Sequence, residues 1–168
     1  MNTISPTAER LLTTFGLGHL KPASGTWGSM PPVLVAGALA ASGITTPGLR
    51  SVYDVFMILT FVIFSAACVI WGTDAEARWK KDPGQVVADE TAGQCVTLIM
   101  IPSVMLTSPL SAFLTILGAF LLFRAFDILK PWPAGAMQNI RGGWGILLDD
   151  WIAGFMAGLI IWGIYLFG

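Results

Sequence analysis

Only 11% of the 168 residues are charged, against roughly a quarter in a soluble domain, while 55% are hydrophobic and the mean hydropathy is +0.73. So little polar surface cannot coat a water-soluble globule, and a net charge of −1 leaves no basic face for nucleic acid. Each spanning helix needs about 20 residues, so the length predicts an all-α, integral membrane helical bundle of about four to five hydrophobic helices, one domain over 1–168, with an N-terminal interfacial helix.

Residues 1–30 do not read as a secretory signal, because Pro6, Glu9 and Arg10 precede only a short apolar cluster. Ala8, Leu11, Leu12 and Phe15 recur at helical spacing, which predicts a short interfacial helix ended by Gly16 and Gly18. Lys21-Pro22 and the run Ser24-Gly25-Thr26-Trp27-Gly28-Ser29 then read as a flexible lead-in whose glycines let backbone amides approach an anion. The first hydrophobic element, 27–42, is short and carries Pro31-Pro32, as a tilted span or a re-entrant helix does. The second, 52–72, has Tyr53 and Trp71 placed like interfacial anchors.

Between 73 and 88 lies a charge-rich loop with Asp74, Glu76, Arg78, Lys80, Lys81 and Asp82, read as a solvated helix on the membrane surface. Segments three to five follow at roughly 90–106, 109–128 and 148–167. Gly154 and Gly158, four apart, suit close helix packing. DETAG at 89–93 and DDWIAG at 149–154 echo each other. Cys68 and Cys95 fall inside hydrophobic segments and suggest neither a disulfide nor a metal site.

If five elements span, Arg10, Lys21, Arg78, Lys80, Lys81, Lys130 and Arg141 share one side and Arg50 stands on the other, so the first side is expected to face the cytoplasm. That topology brings Asp89, Glu90, Asp127, Asp149 and Asp150 to one depth. Acids at a helix start also serve as caps, so the 89–90 and 149–150 pairs have a structural reading equal to a functional one. Asp127 does not, because it sits in the last turn of its helix, where the dipole disfavours a negative charge. A salt bridge to Arg124 or Lys130 is its bland explanation.

His19, the single histidine, has no partner at ligand spacing, neither cysteine has a basic neighbour, and there is no P-loop. An oxygen-ligand site remains: carboxylates with a few Lys and Arg suit Mg²⁺, which takes one or two carboxylates, waters and a substrate phosphate.

Four stretches carry a resemblance. FRAFDILKPWP at 123–133, GGWGILLDDWIAG at 142–154, the DE-x-x-G at Asp89-Glu90 and GTWGS around Thr26 are together similar to the phosphatidylglycerophosphatase A family, over about residues 18–158. Family members usually have proline where Ser24 stands. The resemblance implies Mg²⁺-dependent removal of the terminal phosphate of phosphatidylglycerophosphate, giving phosphatidylglycerol, by a multi-pass protein of the bacterial cytoplasmic membrane with its site facing the cytoplasm.

On that basis Asp127, Asp149 and one or both of Asp89 and Glu90 are expected to hold Mg²⁺. A carboxylate not fully engaged, Asp150 included, takes a proton from water. Lys130, with Arg124 or Arg141, offsets charge on the phosphate oxygens. Gly25, Thr26 and Ser29 bind phosphate, and Trp132 holds the headgroup. Adjacent acids diverge by about 100° on a helix, so one of each pair faces the site. Other readings are a phosphatase for another lipid phosphomonoester, a small transporter, which would keep its acids at mid-span, or a structural assembly subunit with every acid paired to a base.

Overall fold

The computed structural model describes residues 4–46, 48–81, 83–137 and 139–168; Asp82, named among the loop charges, lies outside the described residues. Among the described residues seven α-helices follow one another: α1 (Pro6–Leu12), α2 (Ser24–Ala41), α3 (Arg50–Trp79), α4 (Ala88–Ile99), α5 (Pro109–Leu129), α6 (Ala134–Met137) and α7 (Gly143–Phe167). No strand occurs among the described residues. Three of the helices, α3, α5 and α7, are long and apolar enough to cross a membrane. With 18 and 12 residues, α2 and α4 are shorter companions, about 27 and 18 Å long at 1.5 Å per residue.

Ser5 starts α1: its hydroxyl accepts from the Ala8 N–H at 3.2 Å, with Pro6 in the first turn. Ala8 and Leu12 are buried against Phe64, Cys68 and Ala75 of α3. Phe15 departs from the expected apolar face, because the helix ends at Leu12 and the backbone turns left-handed through Thr14, Phe15 and Gly16, leaving Phe15 exposed.

The stretch at 24–29 is not the expected loop but the first turns of α2. Pro31 and Pro32 lie inside this helix and cannot donate to the carbonyls one turn back. The Gly28 carbonyl, which Pro32 leaves free, accepts from the Thr91 hydroxyl at 2.7 Å. Thr91 also lies 2.8 Å from the Thr14 hydroxyl, and the Val87 N–H donates to Leu12 at 2.9 Å. These bonds tie the starts of α2 and α4 to the end of α1.

Much of the expected 73–88 loop is helical, since α3 continues to Trp79. At about 45 Å it is longer than the roughly 30 Å that a hydrocarbon layer requires, and its last two turns carry the charges of Asp74, Glu76 and Arg78. There Arg78 meets Glu9 of α1 at 3.2 Å. Arg50, at the other end of α3, pairs with Asp54 at 2.7 Å and donates to the Ile99 carbonyl at the end of α4. The starts of α2, α4 and α7 and the ends of α3 and α5 therefore share one end of the bundle.

At the centre α4 and α7 run parallel and cross where Gly93 meets Gly154. A Cβ on Gly93 would stand 2.6 Å from the Asp150 carbonyl, and one on Gly154 would run into the Gly93 carbonyl. The Thr97 hydroxyl donates across the contact to the Gly154 carbonyl at 3.0 Å, and Gly158 abuts Met100. The expected packing role of Gly154 and Gly158 is met by α4.

Candidate active site

The close crossing sets the residues one turn above it face to face. Asp89 and Glu90 occupy the first turn of α4, where unpaired N–H groups favour negative charge, and neither caps it through a side-chain hydrogen bond. Asp150 comes from α7, and one carboxylate oxygen of each of the three lies within 4.8 Å of the others. Asp89 and Asp150 are buried and Glu90 is half-buried. Asp89 Oδ1, Glu90 Oε2 and Asp150 Oδ2 are buried without a hydrogen-bond partner. Three carboxylates with inward, unsatisfied oxygens at this spacing fit a hard divalent cation.

Capping does not explain Asp149 and Asp150. The α7 helix begins at Gly143, five residues earlier than the expected 148, so both aspartates lie inside the helix beyond its unpaired N–H groups. Their roles separate by direction. Asp150 joins Asp89 and Glu90, while Asp149 accepts a hydrogen bond from Lys130 Nζ through Oδ2.

Asp127 is in the last turn of α5, as expected, and buried there. Its Oδ2 pairs with Arg124 NH1 at 2.5 Å and its Oδ1 lies 3.8 Å from Lys130 Nζ. Lys130 caps α5 in a left-handed conformation that swings its ammonium between Asp127 and Asp149. Burial alone would depress its pKa, but the hydrogen bond it donates to Asp149 and the charges of Asp150, Asp149 and Asp127 outweigh it and raise the pKa. Lys130 therefore stays cationic where a free lysine titrates.

Gly25 in the first turn of α2 closes the other wall. A Cβ there would lie 2.8 Å from Arg124 NH1 and would also overlap Glu90 Oε1, so a larger residue would displace the ends of both side chains. Ser29 is buried one turn on, donates to the Gly25 carbonyl at 2.8 Å, and accepts from Arg124 NH1 at 3.5 Å. Ser24, at the proline position, donates to the Gly84 carbonyl at 2.6 Å and fixes the start of α2 without that ring.

Comparison with known proteins gives the family of the chain. The profile of the family described as phosphatidylglycerophosphatase A matches residues 10–165. The chain belongs to that family. A relative named phosphatidylglycerophosphatase A, from Haemophilus influenzae, is 34% identical over 155 residues, which covers 92% of this chain and 86% of the relative. A second of that name, from Escherichia coli, is 33% identical over 84 residues, 49% of this chain and 45% of its own. A protein named putative phosphatidylinositol-3-phosphatase, from Bacteroides thetaiotaomicron, is 31% identical over 150 residues, covering 89% and 87%. No solved structure matches the chain. As a member of the phosphatidylglycerophosphatase A family the protein is a phosphatase.

Within this family member, the structure brings together Asp89, Glu90, Asp127, Asp149, Asp150, Arg124, Lys130, Gly25 and Ser29. The expected metal set was Asp89, Glu90, Asp127 and Asp149, whereas Asp150 is the α7 acid beside Asp89 and Glu90, and Asp127 and Asp149 pair with Arg124 and Lys130. Thr26 is half-buried on the first turn of α2. Arg141 and Trp132 are exposed, and Trp132 retains 84% of its accessibility. His19 lies 3.9 Å from Glu9 and edge-on to Trp79, with the surface group that ties α1 to α3. Sequence reasoning missed Gln94, fully buried one turn beyond Glu90 with neither amide atom hydrogen-bonded. Its spacing of four from Glu90 was the available signal.

Proposed function

We propose that this protein hydrolyses the terminal phosphate of phosphatidylglycerophosphate to give phosphatidylglycerol, with Mg²⁺ held by Asp89, Glu90 and Asp150 and with the site facing the cytoplasm. The observation that carries the reading is the set of three carboxylates on two parallel helices, with unpaired buried oxygens, beside two cations on α5 and its cap. The name shared by the Haemophilus and Escherichia relatives supports the substrate.

A divalent cation bound to the three acids would neutralise phosphate charge and lower the pKa of a bound water. The side chains divide the remaining tasks. Arg124 and Lys130 offer N–H donors to non-bridging phosphate oxygens, where charge grows in the transition state. Asp127 fixes Arg124, and Asp149 with Asp127 fixes Lys130, so neither cation must be ordered when substrate arrives. The first N–H groups of α2, at Ser24 and Gly25, add donors at a helix start. A carboxylate of the trio takes the proton of the attacking water. Trp132, exposed beyond α5, is placed to rest in the headgroup layer, where indole rings are favoured.

The test is phosphate release by the purified protein from phosphatidylglycerophosphate, phosphatidylinositol 3-phosphate and phosphatidate in matched vesicles. The reading predicts the largest kcat/KM for the first. A preference for the inositol lipid would transfer the assignment to the activity named for the Bacteroides relative.

A further inference from the structure

Gln94 has no accessible surface, and among the described residues it is the one side chain with two buried polar atoms, Oε1 and Nε2, that both lack a hydrogen-bond partner. A buried amide with neither end satisfied is destabilising, so an unpaired Gln94 is a poor structural element by itself. Its position gives it a purpose. It follows Glu90 by one helical turn on the same face of α4, and side chains on a helix lean toward its N-terminus, so the amide is aimed at the carboxylate cluster. Glu90 Oε2, one turn earlier on α4, is likewise buried and without a hydrogen-bond partner.

The direction of approach decides what belongs between them. On the phosphatase reading a lipid headgroup would enter from the end of the bundle where Lys130 and Arg124 keep some exposure, and Gln94 lies one turn deeper along α4 than Glu90. In-line displacement at phosphorus puts the attacking oxygen opposite the leaving group. The leaving glycerol oxygen points back toward the lipid, so the attacking water must come from the deeper side.

We infer that Gln94 is a positioning residue for the hydrolytic water, its amide oxygen accepting one water hydrogen while a carboxylate of the Asp89, Glu90 and Asp150 cluster accepts the other. As the water oxygen bonds to phosphorus, the phosphorus–oxygen bond to glycerol breaks. That carboxylate receives the water's proton, and the glycerol oxygen leaves with the bond's electron pair and takes a proton from solvent water, to which the carboxylate then returns its own. This inference rests on the phosphatase reading above.

The experiment compares wild type with Gln94→Leu and Gln94→Met, two uncharged replacements of similar length, in steady-state phosphate release and in thermal unfolding in detergent. Orientation of the water predicts that kcat falls roughly a hundredfold with KM changed less than about threefold. Tm should hold or rise, by about 2–4 °C, because an unpaired amide has been removed. Near wild-type kcat in either variant overturns the inference. So does a fall in Tm or loss of folding in both, which would mean the amide has a structural partner. A wild-type protein that releases phosphate from none of the three lipids would remove the function reading instead, and hydrolysis of another of them alone moves the Gln94 comparison to that ester.

Discussion

Asp149 and Asp150 are neighbours in sequence, yet a turn of about 100° per residue sends one to Lys130 and the other to the acids of α4. Asp150→Asn should lower turnover by several orders of magnitude and weaken Mg²⁺ activation, because it removes one of three charges that attract the cation. Asp149→Asn should keep the Mg²⁺ dependence and raise KM, since it loosens a phosphate-binding cation; steady-state kinetics against both Mg²⁺ and lipid separate the two. Asp127 differs from an exposed interfacial pair, which is worth about 0–1 kcal/mol, because its side chain and that of Arg124 keep only 8% and 12% of their exposure. Removing one partner of a buried pair costs about 3–5 kcal/mol. Asp127→Asn should therefore lower both Tm and turnover, and adding Arg124→Gln should recover part of the Tm but none of the turnover. Asp54→Asn, at the opposite end beside Arg50, should leave turnover unchanged. The five acids were legible as residue types at segment ends. Which member of each pair faces inward was not, because that depends on where each helix begins.

At the scale of elements, the echo between DETAG and DDWIAG has a physical cause. Gly93 follows Asp89 by four and Gly154 follows Asp150 by four, and the two glycines form the crossing of parallel helices, so the acids one turn earlier must meet. Gly154→Ala should force α4 and α7 apart, cost about 1–3 kcal/mol as overpacking does, and reduce turnover by displacing Asp150. Gly163→Ala, farther along α7 with nothing within 4 Å of the added carbon, should be neutral or stabilising by about 0.5–1 kcal/mol; thermal unfolding of both tests the contrast. Helix content in the long apolar stretches was readable from hydropathy. The starts of α2 and α7 were not, because glycine and serine runs signal turns locally, and only tertiary contacts favour helix there. Gly143 packs on the Cys68 carbonyl of α3, and Thr91 takes the carbonyl that Pro32 leaves open. The third segment was overestimated for the converse reason: Pro102 follows α4 closely, and the chain turns through a short 3₁₀ stretch at Ser103–Leu106.

Across the whole molecule, charge and topology agree. Arg78 and Lys130 lie at the end of the bundle that carries the site, and Arg50 lies at the other. If that end is cytoplasmic, single cysteines at Gly84 and Asn139, both exposed, should resist impermeant thiol reagents in intact cells and react in inverted vesicles. A cysteine at Thr107 should do the reverse; the native Cys68 and Cys95 are buried and should add little background. Labelling of position 84 or 139 from outside would overturn the orientation. On the proposed function Asp89, Glu90 and Asp150 together hold the cation on which phosphate release depends. The most direct measurement is phosphate release from phosphatidylglycerophosphate by wild type and Asp150→Asn, after chelation of divalent ions and then across a Mg²⁺ titration. A cation held by these acids predicts no release in chelator, full recovery of wild type with Mg²⁺, and no recovery of Asp150→Asn at the concentration that saturates wild type. Full wild-type turnover in excess chelator, or an Asp150→Asn protein with the wild-type Mg²⁺ response, would contradict it.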